Sequence, residues 1–459
     1  MPSLYVIGSG SAGLTAAIGL AKVGYETTII EEDYIGGDCT NFGCIPSKTL
    51  LHEARELHGA YAYLGKSRDK EFAQRAKEAL SRTRAVVGHF REEESVEWLA
   101  KNNVKFLRGR AKFTAPDELA VAGQTHSFDR CVVATGSRAR IPDIEGLADS
   151  PYLTNKTIFD LPTPPQHLVI LGNGVIGTEM GEAFAMLGSK VTIIGRSENI
   201  LKNSDPDHAR RLQTHLESLG VTCVGFDTQK VTHSPQTGFV LTDGAGETIE
   251  GDTLLVATGR VPNVELDLEQ AGIKADRGGI KIDPTTRTTN GNVYAIGDVA
   301  SKLPNFTHFA YHMGKTVVTN LLVRKYLHLP LPIARIKPER NPAVVFTSFE
   351  LAEAGLSEAA AREEFKRVQT YTLDFAVLDR AITNDEPGSI KVITAGFFGR
   401  IVGVSIYAER AGEMLPEFQT LILQKRRVAY LNQLIRAYPT YTANLDNVFK
   451  QWLGSLASR

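Results

Sequence analysis

Cysteine is scarce in this chain: four in 459 residues, at Cys39, Cys44, Cys131 and Cys223. That scarcity excludes a disulfide-stapled secreted scaffold and gives any disulfide that forms a reactive rather than a structural role. It fits a reducing compartment, and the expected location is the cytoplasm. Cys131 and Cys223 each sit in an apolar, strand-like run and are expected to be structural. No apolar run approaches the roughly 20 residues that a membrane-spanning helix needs. The apolar stretch from Leu4 to Ala21 lacks a basic flank and is broken by Gly8, Gly10 and Gly13, so it reads as strand, loop and helix rather than signal peptide. An excess of charge is missing too. With 51 Lys+Arg against 52 Asp+Glu the net charge is −1, and no basic block is long enough for a nucleic-acid arm. Nucleic acid, membrane and bound metal are not expected. What remains is 42% hydrophobic and 22% charged, in a chain long enough for about three domains.

What is present is a repeat. Gly8-Ser9-Gly10-Ser11-Ala12-Gly13 follows the apolar run Leu4–Ile7 and opens an Ala-rich helix; Gly172-Asn173-Gly174-Val175-Ile176-Gly177 follows Leu168–Leu171 and opens another. Each is followed by a β-rich run, Thr27–Ile30 and Val191–Ile194. A single glycine loop is weak evidence, but two in the strand–loop–helix–strand context predict two dinucleotide-binding units. Cys131 through Arg138, with Thr135 and Gly136, echoes Leu254 through Arg260, with Gly259, each a buried strand ending in a glycine turn. After about residue 335 the pattern changes to strands at Ala343–Thr347, Ser389–Ile393 and Ile401–Ile406, and helices at Ala359–Glu364 and Gly412–Lys425. The fold class is α/β, with two Rossmann-like domains and a C-terminal α+β domain.

The cysteines Cys39 and Cys44 lie within Gly36-Gly37-Asp38-Cys39 through Cys44-Ile45-Pro46-Ser47-Lys48. A regular helix holds residues i and i+5 roughly 8–9 Å apart at Cα, beyond the 4.4–6.8 Å of a disulfide. The pair therefore needs a distorted turn, which Gly43 and Pro46 supply. A helix start beside a cysteine stabilises its thiolate.

This string resembles the redox motif of the class I flavoprotein disulfide reductases, which include dihydrolipoamide dehydrogenase, glutathione reductase and mercuric reductase. The resemblance extends over nearly the whole chain. It implies FAD on residues 1–150 and 265–335, NAD(P)H on 151–264, and a dimerisation domain on 336–459 of a homodimer. It implies that Cys44 faces the flavin as a charge-transfer thiolate, that Cys39 exchanges with substrate, and that Lys48 lies near the flavin and pairs with Glu179. Gly8, Gly10, Gly13, Glu31, Gly37, Thr135, Gly136, Gly297 and Asp298 would serve FAD, Glu31 at the ribose and Asp298 at the ribityl chain. Gly172, Gly174, Gly177 and Gly259 would serve the nicotinamide dinucleotide.

Three departures refine the expectation. Enzymes that use NADH end the second strand of that unit with an acidic residue, which binds the ribose 2′-OH. Here Gly195 stands there, followed by Arg196 and later Lys202, a pattern suited to a 2′-phosphate. NADPH is expected, with NADH as the alternative. The C-terminal His and Glu of the disulfide-reducing members are replaced by Tyr438 and Ala443, which argues against efficient turnover of lipoamide or glutathione disulfide. No cysteine follows Cys223, so the vicinal pair that delivers Hg(II) in mercuric reductase is missing. The expected function is an FAD-dependent NADPH oxidoreductase with a redox-active Cys39–Cys44 pair and an unassigned acceptor, either a small-molecule or protein disulfide or a quinone. The alternative is a quinone reductase or pyridine-nucleotide transhydrogenase working at the flavin.

Overall fold

Strands that pair in parallel need a crossover, usually a helix, and the helices then cover both faces of the sheet. The computed structural model, which describes residues 2–327 and 332–457, has two such sheets. Residues 328–331, within the expected 265–335 segment, and 458–459 lie outside the described residues. The first sheet runs in the order Val293–Ala295, Arg130–Val133, Ser3–Ile7, Glu26–Glu31, Val104–Arg108, all parallel. The second runs Val221–Gly225, Lys190–Gly195, His167–Leu171, Thr253–Val256, also parallel. In each, the glycine loop leaves the carboxyl end of an inner strand, where open α/β sheets bind their ligands. The two Ala-Thr-Gly turns lead into short strands, Ser137–Ala139 and Arg260–Pro262, that pair antiparallel and tie the two units together.

The C-terminal sheet is antiparallel, in the order Ala343–Val345, Glu350–Gly355, Arg400–Ala408, Ser389–Ala395, Val368–Asp374. The expected strands and helices here are found with shifted ends. The strand that begins at Ala343 stops at Val345 rather than Thr347, because the Phe346 N–H turns to Glu179 Oε1 at 3.0 Å instead of pairing in the sheet. The strands Glu350–Gly355 and Val368–Asp374 complete the sheet without having been expected.

Two helix pairs position the site. The helices Cys44–Tyr63 and Lys70–Glu93 bring Leu50, Leu51 and Ala54 together with Ala76, Ala79 and Leu80. The same apolar cluster takes in Met180, Ala183 and Phe184 of helix Val175–Met186, so the redox helix is glued to the second unit. Elsewhere, helices Ser11–Lys22 and Thr307–Tyr326 approach so closely that a Cβ on Gly314 would stand 2.9 Å from the Ala12 carbonyl oxygen. Only glycine lets the two backbones meet in this way. The second unit is fastened to the C-terminal sheet by His208, 2% exposed, whose Nδ1 and Nε2 meet the Ser405 and Ser389 hydroxyls at 2.7 and 2.8 Å. Beside it, Lys391 Nζ donates to Asp205 Oδ2 at 2.8 Å. Among the described residues no helix is long and apolar enough to cross a membrane.

Candidate redox and dinucleotide site

The cysteine string folds as two helices with a break between them. The short helix Gly37–Phe42 carries Cys39, and Cys44 is the first residue of the next. Gly43 separates them with a non-helical φ of −129° and ψ of −108°, which is the distortion that the spacing demanded. Pro46 falls in the first turn, where its missing N–H costs nothing. Both sulfurs are free thiols, so this is the dithiol form.

The pair is asymmetric. The Cys39 thiol hydrogen-bonds to Cys44, and that contact is the largest influence drawing the Cys44 pKa down to about 6. Burial opposes the shift, while the Thr307 hydroxyl and the Lys48 ammonium assist it. Thr307 Oγ1 stands 3.3 Å from Cys44 Sγ. The proton stays on Cys39, whose pKa is driven far up by the same hydrogen bond and by burial. At neutral pH the arrangement is a Cys44 thiolate beside a Cys39 thiol. Cys131, fully buried, is pushed well above the ordinary thiol range, and burial raises Cys223 to about 12, so neither is a reactive thiolate.

Lys48, one helical turn past Cys44, reaches Glu179 Oε2 at 2.7 Å. Glu179 is buried on helix Val175–Met186 and also accepts from the Phe346 N–H, while the Lys48 ammonium lies 4.7 Å from the centre of the Phe346 ring. Residues from three parts of the chain therefore meet at one ion pair. Thr307 and Phe346 had no assigned role in the sequence reading. Neither has a local signal, because Thr307 reaches Cys44, and Phe346 the Lys48–Glu179 pair, only through tertiary packing.

The dinucleotide residues fall into two groups. In the first unit, Gly8 has φ +101° and backs onto the Ala134 carbonyl, Gly13 lies in the first turn of helix Ser11–Lys22, and Gly37 packs on the backbone of Gly10. Glu31 accepts from the Ser9 N–H and hydroxyl, both at 2.8 Å, and so pins the loop. Thr135 donates to the Asn263 carbonyl at 2.7 Å. Gly297 opens the short turn that carries Asp298, whose Oδ2 accepts from Ser137 at 2.7 Å and whose pKa burial raises. Arg260 joins this network through Ser137 and through Asp38 at 2.9 Å, and Asn155 donates to Asp38. Arg260, Asp38 and Asn155 are the polar residues here that sequence reasoning missed. In the second unit, Gly172 backs onto the Ala257 carbonyl and Gly177 onto the Gly172 carbonyl. Arg196 and Lys202 are exposed just past the strand that ends at Gly195, and neither forms an ion pair among the described residues.

These residues fit two dinucleotides. The glycine-loop helices Ser11–Lys22 and Val175–Met186 begin at Gly10 and Gly174 with no side-chain cap. By contrast Asp69, Ser95, Asp205 and Ser357 cap other helices with their side chains. The uncapped starts leave unpaired N–H groups, the groups that bind pyrophosphate. A Cβ on Gly136, Gly174 or Gly259 would point into open space. A cleft of about 510 Å³ reaches Cys39, with Leu14, Ile18, Lys22, Glu94 and Trp98 in its walls. Tyr438 lies apart from the cysteine pair in its contacts, 71% exposed and donating to Asp379 Oδ2 at 2.8 Å.

Comparison with known proteins agrees with this geometry. Residues 2–314 match the pyridine nucleotide-disulphide oxidoreductase family, and residues 341–448 match that family's dimerisation domain. The chain is similar to a mercuric reductase of Lysinibacillus sphaericus, 31% identical over 96% of this chain and 81% of that one. It is as similar to a dihydrolipoyl dehydrogenase of Staphylococcus aureus, 32% identical over 95% and 93%. Among solved structures, the HOCl-induced flavoprotein disulfide reductase RclA of Escherichia coli, in its Cu(II) complex, superimposes with a TM-score of 0.86 at 28% identity, over 98% of this chain and 99% of that one.

Proposed function

This chain belongs to the pyridine nucleotide-disulphide oxidoreductase family, and on that premise we propose that it takes electrons from NADPH, through FAD, to the Cys39–Cys44 pair and on to an acceptor that enters by the cleft at Cys39. The single observation that carries this reading is the asymmetry of the thiols: a Cys44 thiolate held by Cys39, Thr307 and Lys48, next to a Cys39 that lines an open cleft. It is an NAD(P)H-dependent flavoprotein oxidoreductase by family; the NADPH preference, the acceptor route, the homodimer and a reducing cytoplasm are the finer parts of the proposal.

Glu31 and the first glycine loop would hold the adenosine half of FAD, and Asp298 its ribityl chain. FAD supplies the two-electron carrier between nicotinamide and sulfur. In net terms, NADPH and one proton reduce the Cys39–Cys44 disulfide to two thiols and release NADP⁺. Lys48 holds positive charge beside Cys44, and Glu179 fixes Lys48. For a disulfide acceptor, Cys39 passes its proton to Cys44 along their shared hydrogen bond and attacks one acceptor sulfur. The acceptor S–S bond breaks, the first thiolate leaves, and a mixed disulfide forms on Cys39. Cys44 gives that proton to the departing first thiolate and, again a thiolate, attacks Cys39, expels the second thiolate and restores the intramolecular disulfide. The second thiolate takes its proton from solvent.

The test is an anaerobic NADPH titration followed by a panel of disulfides, quinones and metal ions. Cu(II) belongs in the panel because a solved relative carries it. A Cys39→Ser, Cys44→Ser variant should lose turnover of the physiological acceptor. Full turnover by that variant would move the chemistry to the flavin and favour the quinone-reductase or transhydrogenase reading.

A further inference from the structure

The strand Lys190–Gly195 ends where a ribose-reading carboxylate would stand, and Gly195 is buried there. The space beside Gly195 is filled. A Cβ on it would lie 2.0 Å from Asn173 Nδ2, 2.3 Å from Asn173 Cγ and 2.8 Å from the Ser197 carbonyl oxygen, which Asn173 itself holds there. Asn173, inside the second glycine loop, thus occupies the place from which a side chain at 195 would grow. Both N–H donors of its amide are engaged. Nδ2 donates to the Ser197 carbonyl at 3.0 Å and to the Asn199 carbonyl at 2.8 Å. Its own backbone carbonyl accepts from the Leu201 N–H at 3.0 Å. One residue therefore ties the turn 196–201 at three points, and that turn presents Arg196 and reaches as far as Lys202.

We propose that Asn173 is a specificity-determining residue of the pyridine-nucleotide site, selecting a 2′-phosphorylated nucleotide in two ways: it blocks a carboxylate at position 195 and it holds the Arg196 turn in place. The proposal deepens the NADPH reading and rests on it. The two functions of the side chain are separable. Steric exclusion depends on its volume beside Gly195. Positioning depends on its two N–H donors, because the exposed stretch 196–199, unlike the buried Ile200 and Leu201 that follow, is held by them, and it loses its fixed conformation when the Ser197 and Asn199 carbonyls lose their partner. Arg196 then spends its charge on solvent rather than on the nucleotide. A guanidinium contact to phosphate is a charge-assisted hydrogen bond, so its loss should weaken the 2′-phosphorylated nucleotide alone.

The experiment measures Kd for NADP⁺, NAD⁺ and adenosine 2′,5′-bisphosphate by calorimetry on the FAD-loaded protein, with the flavin spectrum and thermal unfolding as checks of folding. Asn173→Ala should weaken NADP⁺ and adenosine 2′,5′-bisphosphate by roughly tenfold or more, the worth of one charge-assisted contact, and leave NAD⁺ within about twofold. Asn173→Ser, which keeps one donor, should fall between. Gly195→Glu alone should fail to gain NAD⁺ affinity, because the new side chain meets Asn173. Asn173→Gly with Gly195→Glu should gain it by roughly tenfold over that single variant. The proposal is overturned if Gly195→Glu alone gains as much as the double variant, or if Asn173→Ala weakens NADP⁺ and NAD⁺ equally. A wild type that binds NAD⁺ as tightly as NADP⁺ removes the NADPH reading and the proposal together. A wild type that favours NADP⁺, with an Asn173→Ala variant that keeps the full preference, removes the proposal alone.

Discussion

The Thr307 hydroxyl stands 3.3 Å from Cys44 Sγ, across a sequence separation of 263 residues. Thr307 begins helix Thr307–Tyr326, so a side-chain donor and a helix start converge on the sulfur that carries the charge. Thr307→Val removes the donor and keeps the volume. A hydrogen bond to a charged group is worth about 1.5–3 kcal/mol, so the Cys44 pKa should rise from about 6 by roughly one to two units. Thiolate absorbance against pH in the reduced protein reads this directly. An unchanged titration would assign the depressed value to Cys39 and Lys48 alone.

The thiolate assignment has a spectral consequence in the FAD-loaded protein. One equivalent of NADPH should produce long-wavelength charge-transfer absorbance from Cys44. Cys44→Ser should abolish it, and Cys39→Ser should show it without reductant. The Cys39→Ser band should fade as pH falls through the Cys44 pKa, because protonation removes the donor electrons. Identical spectra in both variants would reverse or remove the assignment.

The nucleotide preference is tested by kinetics as well as binding. The wild type should favour NADPH over NADH in kcat/KM, and Arg196→Glu should reverse the order, since a carboxylate repels a 2′-phosphate. A wild type that favours NADH would leave Arg196 as a surface residue.

Tyr438, standing where the disulfide-reducing members carry a histidine, predicts weak turnover of lipoamide and glutathione disulfide. Its hydrogen bond to Asp379 raises its pKa further above the ordinary phenol value, so it is an even poorer proton shuttle near neutrality. Tyr438→His with Ala443→Glu should raise disulfide turnover, by up to the 10²–10⁴-fold that general acid–base catalysis typically contributes. NADPH-driven flavin reduction should barely change. High lipoamide activity in the wild type would show that another group supplies the proton.

His208 links stability to pH. Burial, the largest influence, and the nearby Arg211 and Lys391 lower its pKa to about 4, against the opposing Asp205 and Asp207. The unfolded chain therefore binds a proton at about pH 6.5 that the folded chain refuses until about pH 4. Stability is intact above that window and falls as pH drops through it, by roughly 3 kcal/mol in total. Denaturant unfolding at pH 7 and pH 4.5 should show the loss, and His208→Gln should flatten that part of the profile.

Much of this site was legible because its signals are local. The two glycine loops, Glu31 and the cysteine string each occupy a single short stretch, and the Lys48–Glu179 pair followed from the family resemblance. The rest depends on long-range pairing. Glu350–Gly355 and Val368–Asp374 become strands because Arg400–Ala408 and Ser389–Ala395 lie beside them. Thr307, Phe346, Arg260 and Asn155 are ordinary polar or apolar residues until packing brings them to Cys44, to Glu179 and Lys48, and to Asp38. Asn173 was in plain sight inside a glycine loop, but the collision it causes with Gly195 exists only in three dimensions.

The ion pair at Lys48 and Glu179 has a consequence for how the protein is divided. Its three participants arrive from the redox helix, from the second nucleotide unit and, through the Phe346 N–H, from the residue just past the first strand of the C-terminal sheet. A fragment that stops before that strand retains both parallel sheets and both cysteines, yet leaves one carboxylate oxygen of Glu179 without its donor. Cutting at that domain border is therefore expected to loosen the anchor of Lys48 without touching a single reactive atom.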